Sequence, residues 1–356
     1  MNDWRYDLLV FIGRFQPFHN GHLAVVRGGL EQAEHLLVLA GSADRPRSIR
    51  DPFTAAERAE LIRGCLTPRE AMRVTVAPLP DAMYNDAAWI GNVHRAVFDC
   101  VRTRFADRPE AQLRIGLVGH SKDHSSYYLK LFPTWGAVDV RNHQGISATD
   151  LRRVYFRQPY ETGKVDAQTE TTLATRLPAP ALRWLRTFAL TDAYQDLKAE
   201  QAYVEEYQSQ FRDLKYPPQH HTADAVVTQG GHILLVRRGG RPGRGQLALP
   251  GGFIQEDETA FDAAVRELRE ETCLEVADGE LRGAVAAKEL FDDPHRSTRG
   301  RTFTTAFRFD LRPDTRLPPV QAGDDADQAF WLPLAKLRSQ EMFEDHYYIV
   351  RKMVGV

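Results

Sequence analysis

Two histidines three residues apart, His19 and His22, are the first side chains whose type and spacing suggest chemistry. They follow the apolar segment 8–12, which ends at Gly13 and predicts a buried parallel strand. The amphipathic segment 23–30 predicts a helix directly after them. Because the first turn of a helix directs unpaired N–H groups at a ligand, we predict a phosphate site here rather than a plain turn with surface histidines.

Three glutamates, Glu267, Glu270 and Glu271, form a second candidate site. Their spacing places three carboxylates on one face of a predicted helix. Like charges this close are unfavourable unless cations lie between them, and ligands that are all oxygen favour Mg²⁺ or Mn²⁺. The alternative is an exposed acidic helix, but the pattern of glycine, arginine and glutamate over residues 252–274 favours a metal site.

Two further groups have the chemistry to bind a nucleotide. Ser147 predicts a helix N-cap, and the following turn offers its amides, the Thr149 hydroxyl and Arg152 to a second phosphate, although a simple N-cap is the alternative. Asn85 and Trp89 are four residues apart and would share one helix face. They could receive a heteroaromatic ring and its amide, or Trp89 could be a core residue.

The predicted elements would bring most of these side chains to one edge of a sheet. Strands alternate with helices in the first half of the chain, which predicts a doubly wound parallel sheet. Ligands bind at the carboxyl ends of the strands in such sheets, where the histidines, Asn85 and Ser147 all fall. The later strands of this half are predicted at residues 35–41, 73–77, 114–119 and 137–140.

Composition limits the classes of function. The 356 residues suggest about two domains, and 26% charged and 43% hydrophobic residues suit a globular protein. A net charge of −2 gives no electrostatic footprint for nucleic acid. The three cysteines are widely spaced, and we find neither a signal peptide nor a membrane span, so we expect a cytoplasmic protein.

Residues 1 to about 190 resemble the nicotinamide-mononucleotide (NMN) adenylyltransferases of the HxGH nucleotidyltransferase superfamily. The resemblance implies a Rossmann-like fold in which His19 and His22 stabilise the ATP phosphates in the transition state and Asn85 and Trp89 receive the nicotinamide ring. Asp51 departs from the asparagine expected there. The resemblance rests on the segments GRFQPFHNGH (13–22), DPFT (51–54), YNDAAW (84–89), GHSKDHSSYYLKLFP (119–133) and ISATDLR (146–152). The residues that it implies for binding ATP or its phosphates are Gly13, Arg14, Phe15, Gln16, Ser147, Thr149 and Arg152.

The expected transfer follows from the absence of a covalent nucleophile beside a base in this half of the sequence. The phosphate of nicotinamide mononucleotide would attack the α-phosphorus of ATP, while the protein supplies positioning and positive charge, with Mg²⁺ on the triphosphate. Another HxGH adenylyl- or cytidylyltransferase is the alternative, although the YNDAAW segment favours a nicotinamide.

Residues 218–356 resemble the Nudix hydrolases, which have an α+β fold and cleave nucleoside diphosphates linked to another group. The resemblance implies that Glu267, Glu270 and Glu271 bind metal, that Arg266 orients them and that the Gly252 carbonyl is a further ligand. The family has glycine where this chain has Cys273. A left-handed backbone at a non-glycine residue there would cost roughly 1 kcal/mol.

Substrate clues in the second half are fewer. Arg299 and Arg301 lie in a segment with spare positive charge, similar to the ADP-ribose pyrophosphatase branch of the Nudix family. Hydrolysis of ADP-ribose would give AMP and ribose 5-phosphate. The general base would be one of the three glutamates or an acidic residue outside them, such as Asp324. Sensing of ADP-ribose without cleavage, or cleavage of another dinucleotide, are the alternatives.

The fold class predicted for the chain is α/β, with the doubly wound sheet followed by the Nudix fold. We place the domains at residues 1–190 and 218–356. The segment 191–217 between them is predicted as a helical connector, and a helix that forms homo-oligomers is the rival interpretation. We expect little regular structure over residues 156–180.

Overall fold

A computed structural model describes residues 4–119, 131–140, 145–160, 165–312, 316–323 and 326–355. The chain divides into two compact units, one ending at Lys198 and one beginning at Ala199, which we call unit 1 and unit 2. Most of the GHSKDHSSYYLKLFP segment and the candidate base Asp324 lie outside the described residues. None of the helices in the described part is long and apolar enough to cross a membrane.

Unit 1 is built on a sheet of five parallel strands in the order β3-β2-β1-β4-β5. This order reverses direction between β1 and β4, which places a ligand crevice at their carboxyl ends. The predicted strand positions are confirmed to within two residues at each end. The strands are β1 (Tyr6–Gly13), β2 (Ala33–Ala40), β3 (Val74–Pro78), β4 (Ile115–Gly119) and β5 (Gly136–Asp139).

Alternate residues of β1 face two different hydrophobic clusters. Leu9 and Phe11 pack in one cluster, and Leu8 and Val10 pack in the other. Because successive strand side chains point to opposite faces, both faces of the sheet are covered by helices, as predicted for a doubly wound fold. The helices of unit 1 before its C-terminal part are α1 (Asn20–Leu30), α2 (Ala55–Gly64), α3 (Pro68–Met72), α4 (Asp86–Arg104) and α5 (Ala148–Phe156).

The C-terminal part of unit 1 is more helical than predicted. The expected loop contains α6 (Ala167–Arg176), which is N-capped by Asp166 and buries Leu173 completely. Next come α7 (Ala179–Phe188) and α8 (Asp192–Ser209), and α8 continues across the division at residues 198 and 199. Leu190, between α7 and α8, is 73% exposed.

Unit 2 contains a seven-stranded mixed sheet in which β6 pairs parallel with β11 and antiparallel with its other partners. Strands β6 and β7 form an antiparallel hairpin at Gly230-Gly231, where both glycines have positive φ. The strands are β6 (His220–Gln229), β7 (His232–Arg238), β8 (Leu247–Ala248), β9 (Gly251–Phe253), β10 (Val285–Phe291), β11 (Thr302–Asp310) and β12 (Ala326–Pro333). The helices are α9 (Ala260–Thr272), α10 (Asp278–Gly283) and α11 (His346–Val354).

Candidate functional sites

The two histidines lie at the start of α1, just beyond the carboxyl end of β1. His19 is the N-cap residue, and its backbone N–H donates to Nδ1 of His22 over 3.3 Å. The two imidazole rings stack with their centroids 3.6 Å apart. Because Nδ1 of His22 accepts a hydrogen bond, the proton of the neutral ring is on Nε2. Nε2 is therefore the atom of His22 that can donate to a phosphate oxygen.

Aromatic packing fixes the His22 ring and explains the glycine that ends β1. A Cβ on Gly13 would lie 2.9 Å from the ring of Phe15, which is 1% exposed. That ring meets His22 edge to face at 4.9 Å, and Phe18 stacks on His22 at 5.6 Å. The Phe15 side chain is thus part of the packing, so only its backbone is available for the predicted phosphate contact.

The Gln16 side chain joins the loop after β1 to the DPFT segment. Its amide nitrogen donates to the Phe53 carbonyl and its oxygen accepts from the Phe53 N–H, both over 3.0 Å. Thr54 and Glu57, just after Phe53, form a capping box at the start of α2. Gln16 therefore holds the frame of the site with its side chain, and any direct contact with ATP phosphates falls to its backbone.

Arg152 connects α5 to the same loops. Its guanidinium is 6% exposed and donates to the Ile49 and Gln16 carbonyls over 3.1 and 2.7 Å and to the Thr149 hydroxyl over 3.2 Å. Burial lowers the pKa of Arg152 to about 10, which still leaves it cationic at neutral pH. Ser147 caps α5, as predicted. The group predicted to bind a second phosphate, which consists of Ser147, Thr149 and Arg152, therefore lies beside the loop that follows β1.

Sequence reasoning missed Arg58, which organises the carboxyl ends of β1 and β2. Its side chain is 1% exposed and donates to the carbonyls of Arg14, Gly41 and Ser42 over 2.7, 2.5 and 3.3 Å. Burial lowers its pKa. The available signal was its position three and four residues before Leu61 and Ile62, which places it on the buried face of α2.

Arg14 and Asp51 form the rim of this positive site. The Arg14 side chain is 43% exposed, and its Nη1 lies 3.8 Å from Oδ1 of Asp51, which is 5% exposed. Oδ1 of Asp51 is buried and has no hydrogen bond among the described residues. Arg14 is thus the more accessible cation beside the buried Arg58 and Arg152.

Asn85 and Trp89 share the first turn of α4, which follows the carboxyl end of β3. Asn85 caps the helix, since its Oδ1 accepts from the Ala88 N–H over 3.0 Å. Trp89 is half-buried, and its ring lies 6.3 Å from that of Phe132. The structure therefore gives Trp89 a packing role on one side, and its stacking on nicotinamide stays a prediction.

In unit 2, Arg266 holds two of the three predicted metal-binding glutamates. Its Nη1 donates to Glu267 and Glu270 over 2.8 Å each, and its Nε and Nη2 donate to both oxygens of Glu258. The four side chains form an ion-paired group on α9 and the loop before it. This geometry agrees with the orienting role that the family resemblance implies for Arg266, and these ion pairs raise the pKa of Arg266.

Glu271 lies on the buried side of α9, where its Oε2 accepts from the Gly251 N–H over 3.1 Å. Burial, together with Glu267 and Asp224, raises the pKa of Glu271 to about 8, and burial also raises that of Glu267. In the described part of the chain, no three acidic, histidine or cysteine side chains are already arranged as cation ligands. The crowded carboxylates nevertheless fit a divalent cation, which would relieve their mutual repulsion.

Two glycines allow the backbone to approach these carboxylates. A Cβ on Gly252 would overlap the Glu267 carboxylate, and one on Gly251 would overlap Asp224. At the other end of α9, Cys273 has the predicted left-handed backbone, with φ of 48°. The helix carbonyl of Glu271 there accepts from the Gly323 N–H over 3.2 Å.

The two arginines predicted to bind the substrate of unit 2 have different surroundings in the structure. Arg299 lines a cavity beside Gly251 and Gly252, with its guanidinium 5.1 Å from the centre of the Phe253 ring. Arg301 does not line this cavity, and it donates instead to the Asp292 carbonyl over 2.7 Å. A role for Arg299 therefore has geometric support that Arg301 lacks.

Comparison with known proteins finds a separate match in each unit of the chain. A cytidylyltransferase-like family model matches residues 10–154, and a NUDIX domain model matches residues 218–353. The chain is 34% identical over 196 residues to a nicotinamide/nicotinic acid mononucleotide adenylyltransferase of Acinetobacter baylyi, covering 55% of this chain and 93% of the relative. It is also 34% identical over 144 residues to an ADP-ribose pyrophosphatase of Methanocaldococcus jannaschii, covering 39% of this chain and 78% of that one.

One solved structure matches both halves together. A bifunctional NMN adenylyltransferase/ADP ribose pyrophosphatase from Francisella tularensis superposes with a TM-score of 0.87 and is 32% identical, covering 98% of this chain and 99% of that one. A second structure of that type from the same organism, in complex with AMP and a manganese ion, matches equally well.

Proposed function

The chain belongs to the family of bifunctional NMN adenylyltransferase/ADP-ribose pyrophosphatases, and from this premise we propose that it catalyses both reactions. Unit 1 transfers AMP from ATP to nicotinamide mononucleotide, giving NAD and pyrophosphate. Unit 2 hydrolyses ADP-ribose to AMP and ribose 5-phosphate. The observation that carries the proposal is that one chain holds a cationic strand-to-helix turn in one unit and a glutamate helix in the other.

In unit 1, we assign the stabilisation of charge to groups that are already held in place. His22 donates from Nε2 and acts with His19 on the phosphates of ATP, while Arg14 and Arg152 neutralise them. The N-terminal turns of α1 and α5 add backbone N–H groups. The phosphate of the acceptor attacks the α-phosphorus, so the protein contributes position and positive charge and forms no covalent intermediate.

The remaining predicted residues take supporting roles. Gly13, Phe15 and Gln16 form the turn and offer backbone groups to ATP, and Ser147 and Thr149 belong to the group that binds a second phosphate. Asn85 and Trp89 receive the nicotinamide. The named acceptor of the Acinetobacter relative includes nicotinic acid mononucleotide, so both acceptors belong in the test.

In unit 2, we assign metal binding to Glu267, Glu270, Glu271 and the Gly252 carbonyl, with Mg²⁺ as the proposed ion. A divalent cation held there would supply Lewis-acid polarisation of the diphosphate. Arg266 orients Glu267 and Glu270 by donating to both carboxylates. Arg299 contacts the substrate. The intact glutamate trio argues against a module that only senses ADP-ribose.

Product analysis tests the proposal directly. The protein is incubated with Mg²⁺ and ATP plus either acceptor mononucleotide, and separately with ADP-ribose or NAD. We expect NAD and pyrophosphate from the first mixture and AMP with ribose 5-phosphate from ADP-ribose. No dinucleotide from either acceptor would refute the first activity, and intact ADP-ribose in the presence of both Mg²⁺ and Mn²⁺ would refute the second.

A further inference from the structure

A small polar cavity of about 60 Å³ lies beside the glutamate helix in unit 2. Gly251 lines it and also donates its N–H to Glu271, so the cavity adjoins the candidate metal site. Sites that enclose a whole drug-sized ligand measure roughly 300–1,000 Å³. This cavity therefore has room for one group of a nucleotide substrate but not for a purine base with its sugar.

His346 lines the cavity with a ring whose tautomer is fixed. It is the first residue of α11 and is 6% exposed. The Leu249 backbone N–H donates to its Nδ1 over 3.0 Å, so the proton of the neutral ring is on Nε2. Burial lowers the pKa of His346 although Asp224 and Asp345 raise it, which keeps the ring neutral at neutral pH. Among the described residues, no hydrogen bond from this Nε2 is found.

Arg299 supplies a second donor in the same wall. Its Nε is buried and has no hydrogen-bond partner in the described part of the chain. Its guanidinium is held over Phe253. A buried donor without a partner is unfavourable, so the Arg299 Nε–H, together with the unused Nε2–H of His346 in the same wall, indicates that a ligand atom accepts from this side of the cavity.

Carboxylates in the wall limit what that ligand can be. Asp224 is 4% exposed and accepts from the Thr304 hydroxyl, and Glu344 also lines the cavity. The third acidic group, Asp345, already forms a buried ion pair with Arg296 at 2.9 Å. Arg238 and Arg296 also line the cavity, but Arg296 is paired with Asp345 and Arg238 donates its Nε–H to the Pro242 carbonyl. A wall with both N–H donors and carboxylate acceptors suits a hydroxyl, which can accept from an N–H and donate to a carboxylate.

We propose that this cavity recognises the vicinal hydroxyls of a ribose, with His346 as a positioning residue that donates from Nε2. Asp224 accepts the proton of the same diol, and Arg299 donates to its oxygens. The inference rests on the proposed hydrolysis of ADP-ribose, whose two riboses both carry this diol. The chemistry of the cavity is common to both sugars, so the experiment must distinguish them.

Two substitutions distinguish the hydrogen bond that His346 Nδ1 accepts from Leu249 from the hydrogen bond that its Nε2 is proposed to donate. His346→Asn places an amide oxygen near the position of Nδ1, where it can still accept from Leu249, but it removes the group that reaches the cavity. His346→Gln places an amide N–H near the position of Nε2. Melting temperature and NAD synthesis, which uses residues of unit 1, serve as controls for folding.

Calorimetry with the two products then identifies the sugar. Ribose 5-phosphate and AMP are titrated into the full-length protein with Mn²⁺, each beside its 2-deoxyribose counterpart. For one of the two products we expect wild type to prefer the ribose form by about tenfold or more, since one hydrogen-bonded hydroxyl is worth about that factor. His346→Asn should lose the preference and raise KM for ADP-ribose about tenfold with little change in kcat, and His346→Gln should retain part of both.

Several results would overturn the inference. These are equal affinity of wild type for both ribose and deoxyribose forms, undetectable binding of both products, or a preference that survives in His346→Asn. Binding of inorganic phosphate that depends on His346 would mark an anion site instead. If wild type failed to hydrolyse ADP-ribose but showed a ribose preference that depends on His346, the proposed hydrolysis would fall and the sugar site would stand.

Discussion

The turn that carries His19 and His22 in unit 1 and helix α9 with its glutamates in unit 2 are both assigned to phosphate substrates. They balance their charges in opposite ways. In unit 1, the buried cations Arg58 and Arg152 donate mainly to backbone carbonyls. In unit 2, Glu267 and Glu270 share one arginine, Arg266, while Glu271 accepts from a single backbone N–H. Among the described residues, the buried cations of the first site are satisfied by the chain itself, whereas the carboxylates of the second are crowded together.

This difference has an energetic meaning. Guanidinium groups that satisfy carbonyls remain charged and fixed whether or not ATP is present, so they lower the cost of organising the transition state. Buried carboxylates with raised pKa values are unfavourable in the charged form, and a bound proton or metal ion stabilises them. We therefore expect metal binding to be coupled to the stability of unit 2 and to leave unit 1 largely unaffected.

The largest expected effect is that of Glu271→Gln on hydrolysis. The substitution keeps the side-chain volume but removes one charge from the metal cluster, so ADP-ribose hydrolysis should fall by about 10³-fold or more, equivalent to about 4 kcal/mol. NAD synthesis by the same protein should remain within a factor of two or so. Loss of both activities in a folded variant would show that the sites are shared or tightly coupled. Activities are measured by separating the nucleotide products.

His22→Ala is the reciprocal experiment in unit 1. In the proposed mechanism its Nε2 donates to the charge that develops on the ATP phosphates, so NAD synthesis should fall by about 10²–10³-fold. ADP-ribose hydrolysis is the internal control and should be unchanged. Phe18→Leu alters the packing around the ring without removing the imidazole, and it should cost much less. Near-normal turnover by His22→Ala would contradict the assignment of this turn as the catalytic centre.

Trp89→Ala should have a smaller and selective effect. If the indole stacks on nicotinamide, KM for the acceptor should rise about tenfold, since a base stacked on an aromatic ring is worth about 1–3 kcal/mol. KM for ATP should change little. Equal increases for both substrates, together with a lower melting temperature, would instead assign Trp89 to the core beside Phe132.

The smallest expected effect is a shift in stability with pH in metal-free protein. Because the pKa of Glu271 is raised to about 8, the folded state holds its proton more tightly than the unfolded state. The stabilising effect is complete below the ordinary pKa of glutamic acid, about 4.3, and is lost as pH rises to about 8. Wild type should therefore lose several degrees more of melting temperature between pH 5 and 8.5 than Glu271→Gln does.

Scanning calorimetry in the presence of a chelator measures this difference, and addition of Mn²⁺ at pH 8.5 should restore the wild-type transition while having less effect on Glu271→Gln. Identical pH dependence of the two proteins would mean that Glu271 is not the group that titrates.

The strands and both motifs were predictable because they depend on local patterns. Apolar segments ended by glycine mark β1 and β4, and glutamate spacing alone places three carboxylates on one face of α9. The spacing of Arg58 to Leu61 and Ile62 indicated its buried face, but its hydrogen bonds were not predictable, because its carbonyl partners come from two separate loops. Arg299 and Arg301 were indistinguishable for a similar reason, since only the packing of Phe253 selects between them.

The paired hydrogen bonds between Gln16 and Phe53 have a consequence for the entropy of nucleotide binding. They make the turn after β1 and the DPFT segment before α2 move as one body, although the two are 37 residues apart in sequence. The loop is thus ordered during folding rather than on binding ATP, which lowers the entropy cost of binding. More of the interaction energy with the triphosphate then remains for affinity and for the reaction itself.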